Sequence, residues 1–307
     1  MSHDFTAMLA KIKARQWALV DIDWDAPGAE TITDAQRDQL KAFMADLVWV
    51  ENIGARGFAA MATKAEDPTL KEVYRYFHAE EQRHANAELA LMRRWDMLED
   101  GQVPEPNINV RLAIEWLDRY SDDLSLSVLG TIIPMLEVAL DGALVKFLLD
   151  EVADPVCHEV FAKINADESR HLAVDFQVLD MLGNAPLRRV VINSAGSVLS
   201  PKVLLGVLMY IPLLNRVRDN IVGMGLPEKN LYRAMQRYAS NGDRSAGTRR
   251  LPLYQVFKRH AAVVPDRSHP YHHMADLMVR ASDRIPTRLL GRTPTWTREL
   301  THEPVSR

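Results

Sequence analysis

Two stretches, Asp67 to His84 (DPTLKEVYRYFHAEEQRH) and Asp154 to His171 (DPVCHEVFAKINADESRH), align without a gap and are identical at eight of 18 positions. The shared residues are the Asp and Pro, Glu72 with Glu159, Val73 with Val160, Ala79 with Ala166, Glu81 with Glu168, Arg83 with Arg170, and His84 with His171. Each copy opens on a capping residue followed by proline, the pattern of a helix N-terminus, so each is predicted to start a helix. A repeat kept only for packing would chiefly retain apolar positions. This one retains a carboxylate, an arginine and an imidazole in fixed register. Glu81 and His84 lie three residues apart, as do Glu168 and His171, so on a helix each pair shares one face. A carboxylate oxygen beside a neutral imidazole nitrogen suits iron, manganese or zinc better than calcium.

Two further helices flank these. Thr33 with Gln36 reads as a capping box opening a helix that runs to about Lys64. A crossover segment from Asn107 to about Tyr120 leads to a long helix from Leu124 to Glu151. Between Lys41 and Met61 the only charges are Asp46, Glu51 and Arg56, and between Leu124 and Leu149 only Glu137, Asp141 and Lys146. Glu51 and Glu137 therefore sit in mostly apolar company, where an unpaired carboxylate costs several kcal/mol or takes up a proton. Two divalent cations would neutralise the four glutamates Glu51, Glu81, Glu137 and Glu168. Glu51 precedes Glu81 by 30 residues and Glu137 precedes Glu168 by 31, which suits one helical hairpin in each half. One Glu from each of four helices, with a His added on two, is the ligand pattern of ferritin-like di-metal bundles. The expected ligands are Glu51, Glu81, His84, Glu137, Glu168 and His171. Gly54 and Ala55, one turn after Glu51, suggest a substrate cavity beside the metals, although close helix packing also favours small residues.

The expected fold is all-α: a ferritin-like four-helix bundle over residues 33–183 with the di-metal site in its core, plus additional C-terminal helices. Residues 1–32 read as an N-terminal extension. Residues 184–240 read as apolar helices packing on the bundle or forming an interface, with breaks near Pro201 and Pro212, and 241–307 as a linker and C-terminal wrap. The 307 residues, 47% hydrophobic and 25% charged, can bury a sizeable core. A net charge of -4 with scattered Lys and Arg gives no field for nucleic acid. The lone Cys157 excludes an intramolecular disulfide, a Cys-held iron–sulfur cluster and a structural zinc knuckle, and fits a reducing cytoplasm. Charges at Asp4, Lys11, Lys13 and Arg15 interrupt any signal-peptide core. The longest apolar run, Val203 to Asn215, is too short for a bilayer crossing. The histidines of His269-Pro270-Tyr271-His272-His273 read as an exposed turn rather than a second metal site. His78, six residues before His84, reads as solvated or hydrogen-bonded.

Glu80-Glu81-Gln82-Arg83-His84 and Asp167-Glu168-Ser169-Arg170-His171 resemble the EExRH and DExRH motifs of the ferritin-like di-iron oxygenases. The wording is similar to acyl-carrier-protein desaturases and the overall plan to arylamine N-oxygenases, and the motifs do not choose between them. The N-oxygenases carry an extra histidine ligand one turn before the second motif, where this chain has Ile164. The resemblance implies catalytic, metal-bridging roles for Glu81 and Glu168, terminal roles for Glu51 and Glu137, and one His on each of two iron ions, with Mn/Fe not excluded. A ligand imidazole needs its second N–H held by an acceptor, so Asp167 is paired with His84 and Glu80 with His171. Arg83 and Arg170 would balance those charges, and Asp141 could join this outer shell or cap a cavity wall. The expected activity is dioxygen-dependent oxidation of a small or acyl-chain organic substrate by hydroxylation, desaturation or N-oxidation. The alternative is ferritin-like iron binding with ferroxidase or peroxide-scavenging activity. With no redox relay of its own, the chain would need an external electron donor, a ferredoxin or reductase; a homodimer is expected.

Overall fold

A computed structural model describes residues 4–186, 200–223, 227–290 and 294–296; the side chains of 139–147, 149–151 and 287 are not among those described. All regular structure among the described residues is helical, as expected. The helices are α1 (Thr6–Ala14), α2 (Asp34–Lys64), α3 (Pro68–Arg94), α4 (Ile108–Tyr120), α5 (Leu126–Glu151) and α6 (Pro155–Gly183), then α7 (Pro201–Gly223), α8 (Lys229–Gly242), α9 (Pro252–Val263) and α10 (Pro270–Ser282).

Local chemistry sets where the long helices begin. The Thr33 hydroxyl accepts from the Gln36 N–H while Gln36 Oε1 accepts from the Thr33 N–H at 3.1 Å, a reciprocal cap that closes the first turn of α2. Asp67 Oδ1 accepts from the Leu70 N–H at 2.8 Å, and Asp154 Oδ1 from the Val156 N–H at 3.0 Å, with Pro68 and Pro155 at the first helical position. Asp154 also accepts from Arg94 and from Trp95 Nε1, both at 2.8 Å, which ties the start of α6 to the end of α3. Burial alone would raise its carboxyl, but these donors hold it below the usual carboxylate range.

Helices α2 and α3 form one hairpin and α5 and α6 another; α2 packs on α5 and α3 on α6. The interior carries Leu47, Phe58, Phe77, Leu129, Phe161 and Val178, all essentially without solvent exposure. The later helices return to this assembly: α8 and α9 lie against α5, and α7 and α10 against α4. The N-terminal segment is not a loose extension, because α1 packs on both α3 and α6. No helix among the described residues is long and apolar enough to cross a membrane.

Three expectations need revision. Helix α7 runs through Pro212 without the expected break, since buried Tyr210, Leu213 and Leu214 anchor the turn whose N–H hydrogen bond the proline removes. The segment expected as a linker from Asn241 begins later, because α8 continues to Gly242. His269 is exposed at the bend that opens α10, as expected, and caps that helix by accepting from the Tyr271 N–H at 3.2 Å, but His272 is not exposed: it is buried with Nε2 2.9 Å from the Val264 carbonyl. Residues 187–199, expected to continue the apolar helix, lie outside the described residues.

Candidate metal centre

Each of the four long helices brings one glutamate inward, and all four are buried: Glu51 on α2, Glu81 on α3, Glu137 on α5 and Glu168 on α6. His84 and His171, with no exposed surface, lie between them. Their ligand atoms converge in two groups, Glu51, Glu81, His84 and Glu168 in one, and Glu81, Glu137 and His171 in the other. His84 Nδ1 lies 3.1 Å from Glu168 Oε1 and 3.4 Å from Glu51 Oε2. His171 Nδ1 lies 3.0 Å from Glu81 Oε1 and 3.4 Å from Glu168 Oε1. Glu81 thus belongs to both groups, and Glu168 reaches both imidazoles.

None of these approaches is a hydrogen bond. Both Nδ1 atoms, both oxygens of Glu137 and of Glu168, Glu51 Oε1 and Glu81 Oε1 are buried without a hydrogen-bond partner. Buried polar atoms are almost always paired, so a convergent cluster of orphaned lone pairs fits a cation better than a hydrogen-bond network. The opposite edge of each imidazole is satisfied: His84 Nε2 donates to Asp167 Oδ2 at 3.1 Å and His171 Nε2 to Glu80 Oε2 at 2.9 Å. Donation there leaves Nδ1 with its lone pair free, the tautomer a metal ligand requires. Arg170 bridges the two outer carboxylates, donating to Asp167 and, at 3.1 Å, to Glu80. Arg83 instead donates to Gln16 Oε1 at 2.7 Å and lies over the Trp17 ring.

Without cations, crowding shows in the proton affinities. Burial, then the neighbouring carboxylates Glu168 and Glu51, pushes the Glu81 carboxyl well up. Burial and Asp175 do the same to Glu137. Burial disfavours a charged His84, yet the hydrogen bond to Asp167 and the nearby carboxylates of Glu168 and Glu51 hold its imidazole well above the ordinary value; His171 behaves likewise, with Glu168 the chief charge. These two imidazoles draw Glu168 below the carboxylate range.

Gly54 does not provide substrate room of the kind expected. A Cβ there would lie 2.1 Å from Glu81 Oε2, so the bare backbone admits the Glu81 carboxylate. The void beside it, between Ile53, Ile133 and Leu136, holds about one water molecule. Ala55 is fully buried, and its carbonyl lies 2.7 Å from His78 Nδ1. Ile164 is buried in the apolar core. Asp141 lies on α5, but its side chain is outside the described residues.

Two parts of the site escaped the sequence reading. Gln16 Nε2 donates to Glu80 Oε1 at 2.5 Å and Trp17 Nε1 to Asp167 Oδ2 at 2.8 Å, so the N-terminal segment holds both outer carboxylates. Glu88 and Asp175, one turn beyond His84 and His171, are buried with both oxygens unpaired. Burial and Glu51 push Glu88 well up, and burial raises Asp175, which lies against Glu137, to about 8. The signal was present, because the repeat continues: Glu81 and Glu88 are seven residues apart, as are Glu168 and Asp175.

No family model, curated protein or solved structure matches this chain. The geometry alone therefore carries the assignment of the site as one able to hold metal.

Asp167→Asn is expected to keep the fold and weaken metal binding about 10- to 100-fold, because an amide polarises the His84 ring less than a carboxylate does. Competition titration against a metallochromic chelator reads this directly; an unchanged affinity would remove Asp167 from the support of the metal centre.

Proposed function

We propose that the chain is a ferritin-like di-iron protein that reduces dioxygen and oxidises a small organic substrate. The single observation that carries this reading is the set of buried, unpartnered ligand atoms converging in two groups that share Glu81. Glu51, Glu81, His84 and Glu168 would hold one ion, and Glu81, Glu137 and His171 the other. A pair of iron ions bound there supplies electrons for dioxygen reduction, with a mixed Mn/Fe pair using the same ligands. The protein's own part is to fix both imidazoles through Asp167 and Glu80 and to retain protons on Glu88 and Asp175 within one helical turn of the ligand histidines.

No redox relay is evident in the sequence: it has one cysteine, buried Cys157, and no glycine fingerprint for a flavin or nicotinamide. Electrons would therefore come from an external donor, a ferredoxin or reductase. Glu88 stands where radical-forming relatives of such proteins place a tyrosine. Protein loaded with iron(II) is expected to consume dioxygen once, with no long-lived tyrosyl signal in electron paramagnetic resonance, and to continue only when a donor is added. A persistent radical, or sustained consumption without a donor, would overturn the reading. A large hollow shell in native mass spectrometry, in place of the proposed dimer, would favour iron storage.

A further inference from the structure

A cavity of about 190 Å³ lies between α5, α6 and α8, and its floor is formed by Glu137 and Glu168, one carboxylate from each helix of the second hairpin. Among the cavities lined by described residues it joins the metal centre to the surface with room for more than water. Its walls are apolar and aromatic, chiefly Leu172, Phe176 and Tyr238, and the Phe176 and Tyr238 rings lie 5.3 Å apart. The rim is polar. Asn165 and Ser169 come from α6 and Asn241 from α8, and all three are exposed.

Arg237 is the one cationic side chain on this lining, exposed at the rim, and its guanidinium has no ion-pair partner among the described residues. Ala234, Arg237, Tyr238 and Asn241 recur at helical spacing, so one face of α8 supplies the lid, the charge and an aromatic wall together. Once two divalent cations balance the four glutamates, the floor no longer repels an anion. An unpaired guanidinium above an apolar shaft matches a molecule with a planar anionic group at one end and a short apolar body.

We propose that this cavity binds a small organic carboxylate, its carboxylate on Arg237 and its apolar body pointing down between Phe176 and Tyr238 toward Glu137 and Glu168. This names the substrate class of the proposed oxidase and rests on that reading. The site nevertheless has its own binding test.

The test uses iron(II)-loaded, anaerobic full-length protein and two probes of one shape, 3-phenylpropanoate and the neutral 3-phenylpropanamide, followed by calorimetry. The acid is expected to bind about tenfold more tightly than the amide, the size of a charge-assisted hydrogen bond. Arg237→Gln, a surface change, should bring the acid down to the amide, and Arg237→Lys should restore part of the preference. Ala234→Trp should close the cavity to both probes without lowering the iron content. Equal affinity of the two probes, failure of the acid to bind at millimolar concentration, or a preference that survives Arg237→Gln would each overturn the proposal. Iron content and donor-dependent dioxygen consumption are measured on the same samples. A protein that prefers the acid yet holds no metal pair would sink the oxidase reading and leave the carboxylate site standing.

Discussion

Protein produced with added iron is expected to hold two metal ions per chain, and Glu137→Ala to hold about half as much. The difference follows from how the ligands are shared. Glu137 serves only the group with His171, whereas Glu81 serves both, so Glu81→Ala should lose both ions. Gly54→Ala sharpens the test because it adds a single methyl group. That methyl would meet Glu81 Oε2 at 2.1 Å, and the carboxylate must leave its position to admit it. Alanine is also the better helix former, by about 1 kcal/mol, so α2 itself should not suffer. Gly54→Ala is therefore expected to resemble Glu81→Ala in metal content while remaining helical by circular dichroism. Elemental analysis checks all three variants. A native stoichiometry near one, or no drop in Glu137→Ala, would remove the paired site.

Metal-free protein is expected to lose stability as the pH rises from about 6 to 9, while metal-loaded protein does not. Burial raises the Glu81, Glu88 and Glu137 carboxyls well above their ordinary range and places Asp175 at about 8. An unfolded carboxyl titrates near 4, so between about pH 4 and 8 the folded metal-free chain holds more protons than the unfolded one. The stability these groups contribute is complete below about pH 4 and is lost as the pH passes their folded values. The raised His84 and His171 act in the same sense. Glu168 and Asp167, both lowered, act in the opposite sense, but their contribution is lost only in acid. Bound cations hold the ligand carboxylates ionised and remove most of the slope. Differential scanning calorimetry of chelator-treated protein should show a Tm fall of about 5 °C or more across this range, given ~2–4 °C per kcal/mol for a chain approaching this size. Parallel curves for the metal-free and metal-loaded forms would contradict the expectation.

The helical framework was legible because its signals are local. Thr33, Asp67-Pro68 and Asp154-Pro155 each mark a helix start within four residues, and the apolar company of Glu51 and Glu137 is visible in a single window. Gln16 and Trp17 were not legible for the opposite reason. Their partners Glu80 and Asp167 are 64 and 150 residues away, and nothing near either residue signals a buried acceptor. Glu88 and Asp175 lay in plain view, but the repeat was read only as far as its second histidine. Gly54 was ambiguous in kind: a missing side chain marks space, and only the neighbouring helix shows that a carboxylate fills it. Pro212 carries a rule that predicts a break, which packing overrode in α7.

The side chains that converge on the metal positions come from α2, α3, α5 and α6, whereas the lid of the carboxylate cavity comes from α8, beyond the second half of the repeat. Changes at Ala234, Arg237 or Tyr238 leave every ligand, and both outer carboxylates that steady the imidazoles, untouched. In such a layout the molecule that the cavity admits can be changed while the candidate metal centre stays constant, and α8 is where substitutions would alter that choice first.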